Sequence, residues 1–376
     1  MNILIAPNAF KNSLDAQSVA EAIALGLQQS NLECQCQLFP VADGGDGTGS
    51  LIIKHLNGTL INTPAHDALG RQITAAFGLV DGGRTAIIEM ADASGIRLLK
   101  TTELNPMLAN TFGTGELIKA ALDHGVTKII IGMGGSATVD GGMGILNALG
   151  IEFLNEDGKA LNPIPEELIN IAAINTGNLD KRISACEIIV LCDVDNQLLG
   201  PEGAAAVFGP QKGATAANVV ELDAMLARFA AITLQQTGQN MTTIKHSGTA
   251  GGAAAGLYAF LNAKLVSGAN HFLELTGFNS ALQNADIVIT GEGSIDEQTL
   301  QGKAPAAVAA AAKTKNLIVV GLAGKVPAEP GEALNQAFDQ LISINTDPVD
   351  LITALKHTRG NLIATAKKIG DRLALS

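Results

Sequence analysis

The chain has 376 residues, of which 47% are hydrophobic and 16% are charged, and its formal net charge is −12. An acidic chain without a Lys/Arg cluster argues against a nucleic-acid-binding surface, because contact with phosphate backbones needs a basic stripe. No apolar run approaches the roughly 18 residues of a membrane span, and MNILIAPNAF lacks the basic flank of a signal peptide. We therefore expect a cytoplasmic protein without membrane contact, long enough for two domains.

The first predicted elements alternate between strand and helix. ILIAP at 3–7 predicts a strand, and Asp15 is placed to cap a helix over 16–29 whose apolar residues recur at helical spacing. CQLFPVA predicts a second strand, and a second helix follows over 47–57. From 59 to 90, strand-like runs separated by D-A-L-G and D-G-G turns favour hairpins and a change of domain.

The middle of the chain combines buried strands with helices. The predicted strands are KIIIG and EIIVLCDV, and the predicted helices lie over 113–125, 140–149, 221–237 and 250–262. After 284 the alternation returns in NADIVITGEG, a helix over 304–313, LIVVGLAG and LISIN. Many glycines and small aliphatic residues are typical of α/β enzymes, whose parallel strands are apolar on both faces.

These patterns predict an α/β fold, with a Rossmann-like parallel-sheet domain built from both chain ends and a second α/β domain inserted in the middle. The predicted Rossmann-like domain comprises 1–58 plus 284–376, with 113–135 as an optional part, and the inserted domain comprises 59–283. We expect the last three strands to join the N-terminal pair in one sheet.

Glycine-rich turns that carry carboxylates recur where strands are predicted to end. They are VADGGDGT (41–48), GMGGSATVDGG (132–142), CDVDN (192–196) and TGEGSIDEQTLQGK (290–303). Ligands of open α/β sheets bind outside the carboxyl ends of strands, so we expect one composite site. Backbone N–H groups at such turns, with a helix dipole behind them, bind anions.

The turn at 132–142 leaves more than one interpretation open. Gly132, Gly134 and Ala137 fit the G-x-G-x-x-A form of the dinucleotide fingerprint, which keeps a dehydrogenase open. Hydroxyls and a carboxylate in the same turn suit a nucleoside triphosphate and its metal better. A third interpretation is that the glycines only permit tight packing. Neither a Walker A loop nor a G-x-S-x-G elbow is present.

The parts that phosphoryl transfer requires can come from these turns. It needs amides or cations on the phosphates, carboxylates for Mg²⁺ and a base for the acceptor hydroxyl. The candidate carboxylates are Asp43, Asp46, Asp193 and Asp296, and the candidate phosphate cations are Lys11, Lys212 and Lys303. For each of them a capping Asp or a solvated Lys is an equally open interpretation. The scattered histidines are interpreted as structural or surface residues, and the cysteines as thiols without chemistry.

A series of segments resembles, in order, the signature segments of the bacterial glycerate kinase family of the glycerate 2-kinase type. They include APNAFKNSLDA, PVADGGDGT, EMADASG, GMGGSATVDGGMG, LCDVDNQLLG, FGPQKGA and VITGEGSIDEQTLQGKAP, spread from about residue 3 to 325. The resemblance implies ATP- and Mg²⁺-dependent phosphorylation of D-glycerate in glyoxylate or organic-acid metabolism. Many members of the family resemble 2-phosphoglycerate producers, whereas the acceptor hydroxyl and the oligomeric state here stay open.

Several residues fall on motif positions of that family, and their roles are our hypothesis. We assign catalysis to Asp43, Asp193 and Lys303, and metal binding to Asp46 and Asp296. Nucleotide or phosphate binding is assigned to Gly134, Gly135, Ser136, Asp140, Lys212 and Glu292, and substrate binding to Lys11 and Gln211.

Four residues depart from the family pattern. Asn8 and Ala9 stand where A-P-D-S is common, Val139 stands in S-A-T-N-D, and Ser294 replaces the Arg of T-G-E-G-R. A missing Arg removes a planar fork that grips carboxylates or phosphates. A non-catalytic or altered-specificity binder of small hydroxy acids therefore stays open as an alternative. If the aspartate of relatives is a base or a metal ligand, Asp43 or Asp193 must serve here.

Overall fold

The computed structural model describes residues 1–345 and 350–375, which form two compact units. Unit 1 comprises Met1–Asp43 and Ala269–Ser376, and unit 2 comprises Gly44–Gly268. Within the described residues, no helix combines the length and the apolar character that crossing a bilayer requires.

The chain alternates between strands and helices, as the sequence predicts for an α/β protein. The strands are β1 (Asn2–Ile5), β2 (Gln35–Leu38), β3 (Thr59–His66), β4 (Gln72–Val80), β5 (Thr85–Glu89), β6 (Lys128–Gly132), β7 (Glu152–Leu154), β8 (Ala173–Asn175), β9 (Glu187–Cys192), β10 (Lys264–Ser267), β11 (Ile287–Ser294), β12 (Ile318–Lys325) and β13 (Gln340–Ser343). The helices are α1 (Ala16–Gln28), α2 (Thr48–His55), α3 (Ala91–Ser94), α4 (Phe112–Asp123), α5 (Met143–Ala148), α6 (Pro165–Leu168), α7 (Ala204–Phe208), α8 (Ala216–Thr237), α9 (Ala253–Leu261), α10 (Gly268–Leu275), α11 (Phe278–Ala281), α12 (Ala304–Lys313), α13 (Glu332–Ala337) and α14 (Leu351–Leu373).

Unit 1 is built on a five-stranded sheet in the order β13-β12-β11-β1-β2, and all its strand pairs are parallel. Ile3 of β1 is in register with Ile287 of β11 on one side and with Cys36 of β2 on the other. The apolar residues of the inner strands β1, β11 and β12 are mostly buried, as parallel strands require, whereas the edge strands β2 and β13 are partly exposed. The prediction that the last three strands join the N-terminal pair in one sheet is confirmed.

Two long helices pack against each other in unit 1. α1 begins where the sequence predicts, because the Asp15 side chain accepts a hydrogen bond of 2.8 Å from Ser18 N. Its partner α14 was not anticipated from the sequence. The buried stripe of α14 includes Thr358, Thr365 and Gly370 beside only a few aliphatic residues, so the helix has a low apolar content.

Unit 2 is built on a six-stranded mixed sheet in the order β10-β9-β6-β5-β4-β3. β3 and β4 form an antiparallel hairpin, and β4 pairs antiparallel with β5, which confirms the hairpins predicted over 59–90. The other pairs in this sheet are parallel. α2 packs against β4, β5 and β6, so it lies in unit 2, although the sequence-based division placed it in the Rossmann-like domain.

Helix starts in unit 2 differ from the predicted ones for local reasons. α8 begins at Ala216 rather than 221, because Thr215 and Asn218 cap each other's backbone N–H groups. α5 begins at Met143 rather than 140, because Gly141 and Gly142 adopt positive φ angles of 64° and 78°. The glycine-rich segments therefore remain loops between the ends of the strands and the helices that follow them.

Candidate functional site

Three neighbouring strands of unit 1 end beside one another with polar residues. Glu292 lies near the end of β11, Asn8 follows β1, and Asp43 follows β2. The chain stays paired beyond the strands, since Asn8 N donates to Gly291 O at 2.8 Å and Val41 N donates to Pro7 O at 3.0 Å. Because carboxyl ends of parallel strands share one edge of the sheet, these polar side chains collect at that edge.

We call the group formed by Asn8, Lys11, Asp43, Glu292 and Lys303 the Asp43 cluster. Asn8 Nδ2 donates to Asp43 Oδ2 at 2.9 Å, and both side chains belong to buried residues. Lys303 Nζ lies 3.7 Å from Glu292 Oε1. Burial raises the pKa of Glu292, the charges of Lys303 and Lys11 oppose this, and the negative charge of Asp43 adds to it. The cluster thus combines carboxyl groups, an amide and two amines.

Lys303 occupies the N-cap position of α12, and its side chain is 34% exposed. The helix dipole and the ammonium group therefore add positive potential at the same place, which suits an anion. Asp296 lies in the preceding turn and organises it, since Asp296 Oδ1 accepts a hydrogen bond of 2.9 Å from Gln298 N. Glu292 accepts a hydrogen bond of 2.8 Å from Thr299 Oγ1 in that turn.

The Lys212 cluster of unit 2 comprises Ser136, Thr138, Asp140, Asp193 and Lys212. Lys212 is 2% exposed, and its Nζ donates hydrogen bonds of 2.7 Å to Ser136 Oγ and to Thr138 O. Burial lowers the pKa of Lys212 to about 7, while the charges of Asp140 and Asp193 act in the opposite direction. Lys212 therefore fixes the loop after β6 from inside the protein.

Asp140 is fully buried, and its carboxylate accepts four hydrogen bonds. Two come from the N–H and the hydroxyl of Thr111, and two come from Gly142 N and Gly144 N at the start of α5. Burial raises the pKa of Asp140, and these hydrogen bonds oppose the rise. This geometry suits a group that joins two loops and caps a helix, and the nucleotide-binding role of Asp140 stays a prediction.

The glycines after β6 are required by close packing. A Cβ atom on Gly134 would lie 2.2 Å from Asp46 N, and Gly134 N donates to Gly44 O at 3.1 Å. Gly135 has a φ of +72°, a conformation that disfavours side chains. Glycine is therefore required at Gly134 by a close backbone contact and at Gly135 by the backbone conformation, independently of phosphate binding.

Glu89 is a candidate that the sequence analysis missed. It ends β5 in register with Gly132, and its carboxylate accepts hydrogen bonds from Gly47 N at 3.2 Å and from Gly49 N at the start of α2. Burial raises the pKa of Glu89 to about 7, and the negative charges of Asp92 and Asp46 add to the rise. The sequence contained one signal for Glu89 as a site residue, namely a carboxylate at the end of a predicted strand.

Arg97 and two carboxylates lie near Glu89. Arg97 Nη2 donates to Asp92 Oδ1, and Arg97 Nε lies 3.6 Å from Asp46 Oδ1. Asp46, which the sequence predicts as a metal ligand, therefore lies beside the guanidinium group of Arg97. Among the side chains that the structure describes, His, Cys, Asp and Glu nowhere gather in a group of three or more that could hold a metal ion.

Two of the histidines have partners that the sequence could not reveal. His66 Nδ1 lies 3.0 Å from both carboxylate oxygens of Glu116. His246 Nδ1 donates to Val194 O at 2.7 Å and lies 3.0 Å from Asp195 Oδ1.

Two further predicted site residues lie in loops of unit 2. Asp193, in the same turn as Asp195, is half-buried after β9, and Gln211 is exposed beside Lys212.

The departures from the family motifs lie in different environments. Val139 is fully buried within the hydrophobic core of unit 2, where its apolar side chain packs against core residues. Asn8 keeps a polar group inside the Asp43 cluster. Ser294 is the last residue of β11, where its backbone is in register with Lys325 of β12.

A cavity of about 630 Å³ in unit 2 carries none of the predicted site residues. Its lining combines Leu104, Met107 and Leu108 with Glu103, Glu166 and Glu221, and it includes Gly213 next to Lys212. Burial raises the pKa of Cys192 to about 12 and that of Cys186 to about 11, which disfavours the reactive thiolate at these two positions.

Comparison with known proteins gives matches along the whole chain. The model of the Glycerate kinase family matches residues 3–374. A glycerate kinase of Bacillus subtilis strain 168 is 42% identical, with 100% of this chain and 98% of the relative covered. A glycerate 2-kinase of Escherichia coli strain K12 is 38% identical, with 100% and 98% covered. A crystal structure assigned to glycerate kinase 2 from Salmonella typhimurium LT2 has a TM-score of 0.83 at 40% identity, with 99% and 98% covered.

Proposed function

The chain belongs to the glycerate kinase family, and from that premise we propose that it transfers the γ-phosphoryl group of Mg·ATP to D-glycerate, giving 2-phospho-D-glycerate. The family match along residues 3–374 supports the enzyme class, a phosphotransferase with an alcohol group as acceptor. The observation that carries the mechanism is the Asp43 cluster, where a buried carboxylate held by an amide lies at an edge that also bears two lysines.

Asp43 is the base of the proposed reaction. A lone pair of the glycerate hydroxyl oxygen attacks the γ-phosphorus, the bond from that phosphorus to the β,γ-bridging oxygen breaks, and ADP leaves. The hydroxyl proton passes to the Asp43 carboxylate, as in other kinases that position an Asp at the acceptor. Asp193 is the alternative base, and its negative charge also acts on Lys212 and Cys192.

The cations of unit 1 bind the anionic groups. Lys303, at the N-terminus of α12, neutralises charge that develops on the transferred phosphoryl group, where a preorganised cation stabilises the transition state. Lys11 is exposed near Glu292 and is the candidate partner of the glycerate carboxylate. Glu292 keeps Lys303 in place through their 3.7 Å contact.

In unit 2, the loop at Gly134, Gly135 and Ser136 is the candidate contact of the nucleotide phosphates, with the backbone N–H groups of Gly135 and Ser136 as donors, because the N–H of Gly134 is engaged by Gly44 O. Lys212 acts from inside this loop, because its Nζ is committed to Ser136 and Thr138. Gln211 is exposed on the neighbouring turn and can reach a polar substrate group.

Only a few carboxylates are candidates for binding Mg²⁺. In kinases Mg²⁺ takes one or two carboxylates together with phosphate oxygens and waters, so a three-carboxylate group is not required. Each unit offers one candidate: Asp46 of unit 2 is exposed, and Asp296 of unit 1 lies in the turn before Lys303. When bound with ATP, the ion supplies neutralisation of charge on the β- and γ-phosphates.

An assay of ADP release tests the proposal against its alternatives. With Mg·ATP we expect turnover on D-glycerate and a higher unfolding temperature, because a ligand that binds only the folded state stabilises it. A non-catalytic binder would be stabilised by D-glycerate without releasing ADP, and a dehydrogenase would be stabilised by NAD and not by Mg·ATP. Either result would refute the proposed function.

A further inference from the structure

Asn8 is a buried amide within the Asp43 cluster. Asn8 is 7% exposed, and its side-chain Nδ2 donates a hydrogen bond of 2.9 Å to Asp43 Oδ2. Its Oδ1 accepts a hydrogen bond of 2.8 Å from the backbone N–H of Ala9. The donor end and the acceptor end of the amide are therefore both engaged.

The N–H of Ala9 decides which way this amide faces. If the amide were turned by half a rotation, its NH₂ group would face the Ala9 N–H, and its oxygen would face the Asp43 carboxylate. Both pairs would then be repulsive, donor against donor and acceptor against acceptor. The backbone of Asn8 is itself held by its hydrogen bond to Gly291 O at 2.8 Å. Asn8 is thus a fixed donor aimed at Asp43.

A fixed N–H donor favours the ionised form of a carboxylate and holds it in one rotamer. A carboxyl group at the same position would have nearly the same shape but the opposite effect. Two carboxyl groups about 3 Å apart cannot both ionise, so they keep a shared proton. A carboxyl group at position 8 would therefore replace the amide donor with a proton shared between two carboxyl groups.

We propose that Asn8 is a positioning residue that holds the Asp43 carboxylate in the orientation in which it accepts the proton of the acceptor hydroxyl. This inference rests on the proposed function, because Asp43 is the base of that mechanism. It gives Asn8 in A-P-N-A a chemical meaning, since an aspartate at this position would place a second carboxyl group beside Asp43 in place of an amide donor.

Other charged groups act on the same edge of unit 1. Lys11 and Lys303 bring positive charge, and Glu292 brings a carboxyl group whose pKa is raised by burial, with the charge of Asp43 adding to the rise. A new charge at position 8 would also act on Glu292. The test therefore needs a readout that does not depend on turnover.

The first measurement is the pH dependence of kcat for Asn8→Asp. We expect its acid limb to move to higher pH by about one unit or more, with recovery towards the wild-type rate at alkaline pH. Asn12→Asp is the matched control, because Asn12 is exposed in the same loop and receives the same charge. A structural defect would lower the rate at every pH, and an acid limb shared by all three proteins would overturn the proposal.

The second measurement is urea unfolding across about pH 4 to 8, where the unfolded carboxyl groups lose their protons. Asn8→Asp should lose stability relative to the wild type as pH rises, because its folded state retains a proton that its unfolded state releases. The exchanged pair Asn8→Asp/Asp43→Asn again has one donor and one carboxylate, so it should lose this extra pH dependence while remaining inactive.

The two measurements separate the possible failures. A wild-type protein without kinase activity refutes the proposed function and the catalytic part of this inference, while the unfolding curves still decide whether Asn8→Asp replaces the amide donor with a shared proton. If Asn8→Asp does not fold at neutral pH, the exchanged pair must restore folding. An exchanged pair that is as unstable as the single variant would contradict the proposal.

Discussion

At the scale of single residues, Lys303 is the most direct test of phosphate binding. Replacing Lys303 with Ala removes the cation at the N-terminus of α12, and we expect kcat to fall by about 10³, the order seen when a transition-state cation is lost. Lys313→Ala is the matched control, because Lys313 lies at the other end of α12 and pairs with Asp339. Steady-state kinetics that show equal activity in both variants would remove Lys303 from the mechanism.

Lys212 should leave a signature in the pH dependence of stability. Its pKa is lowered to about 7 in the folded protein and is about 10.4 in an unfolded chain. Between these values the unfolded state binds a proton that the folded state lacks, so this residue makes stability rise with pH, by up to about 1.4 kcal/mol per unit.

We therefore expect the wild type to gain stability relative to Lys212→Met between about pH 7 and 10 in urea unfolding. The surface variant Lys264→Met controls for the loss of one lysine, since Lys264 is exposed. Parallel curves for the wild type and Lys212→Met would contradict this account of a buried amine.

At the scale of elements, the contact between α1 and α14 depends on one glycine. A Cβ atom on Gly26 would lie 2.3 Å from Ile363 O and 2.7 Å from Ala366 Cβ. Gly26→Ala should therefore destabilise the protein by about 1–3 kcal/mol in urea unfolding, because the two helices must move apart. Gly360→Ala, on the exposed side of α14, should stabilise by up to about 1 kcal/mol. Equal effects of the two substitutions would show that the helices do not pack closely at Gly26.

Elements with strong local signals could be predicted from the sequence. The run IVITGEG and the alanine-rich 304–313 segment have clear strand and helix patterns, and Asp15 is a standard helix cap. α14 could not be predicted in the same way, because its buried face contains threonines and a glycine whose burial depends on α1. Propensity and periodicity describe a segment alone, whereas this helix is defined by its partner.

At the scale of the whole molecule, the order of strands decides which distant residues meet. Asn8, Asp43 and Glu292 are brought to one edge because β1 lies between β11 and β2, a pairing that joins both ends of the chain. The sequence indicated the carboxylates at strand ends, but it could not indicate that Asn8 donates to Asp43 or that Lys212 is buried, since both depend on tertiary contacts. Glu89 was missed for the same reason, because α2 is what buries it.

The most direct test of the central claim compares the wild type with Asp43→Asn by phosphorus NMR during turnover of D-glycerate and Mg·ATP. If Asp43 is the base, the wild type should produce 2-phospho-D-glycerate, and Asp43→Asn should do so slower by about 10²–10⁴, the usual contribution of a positioned base. The thermal unfolding of the variant controls for folding. Formation of the same product by Asp43→Asn at near the wild-type rate would contradict the claim that the Asp43 cluster carries the chemistry.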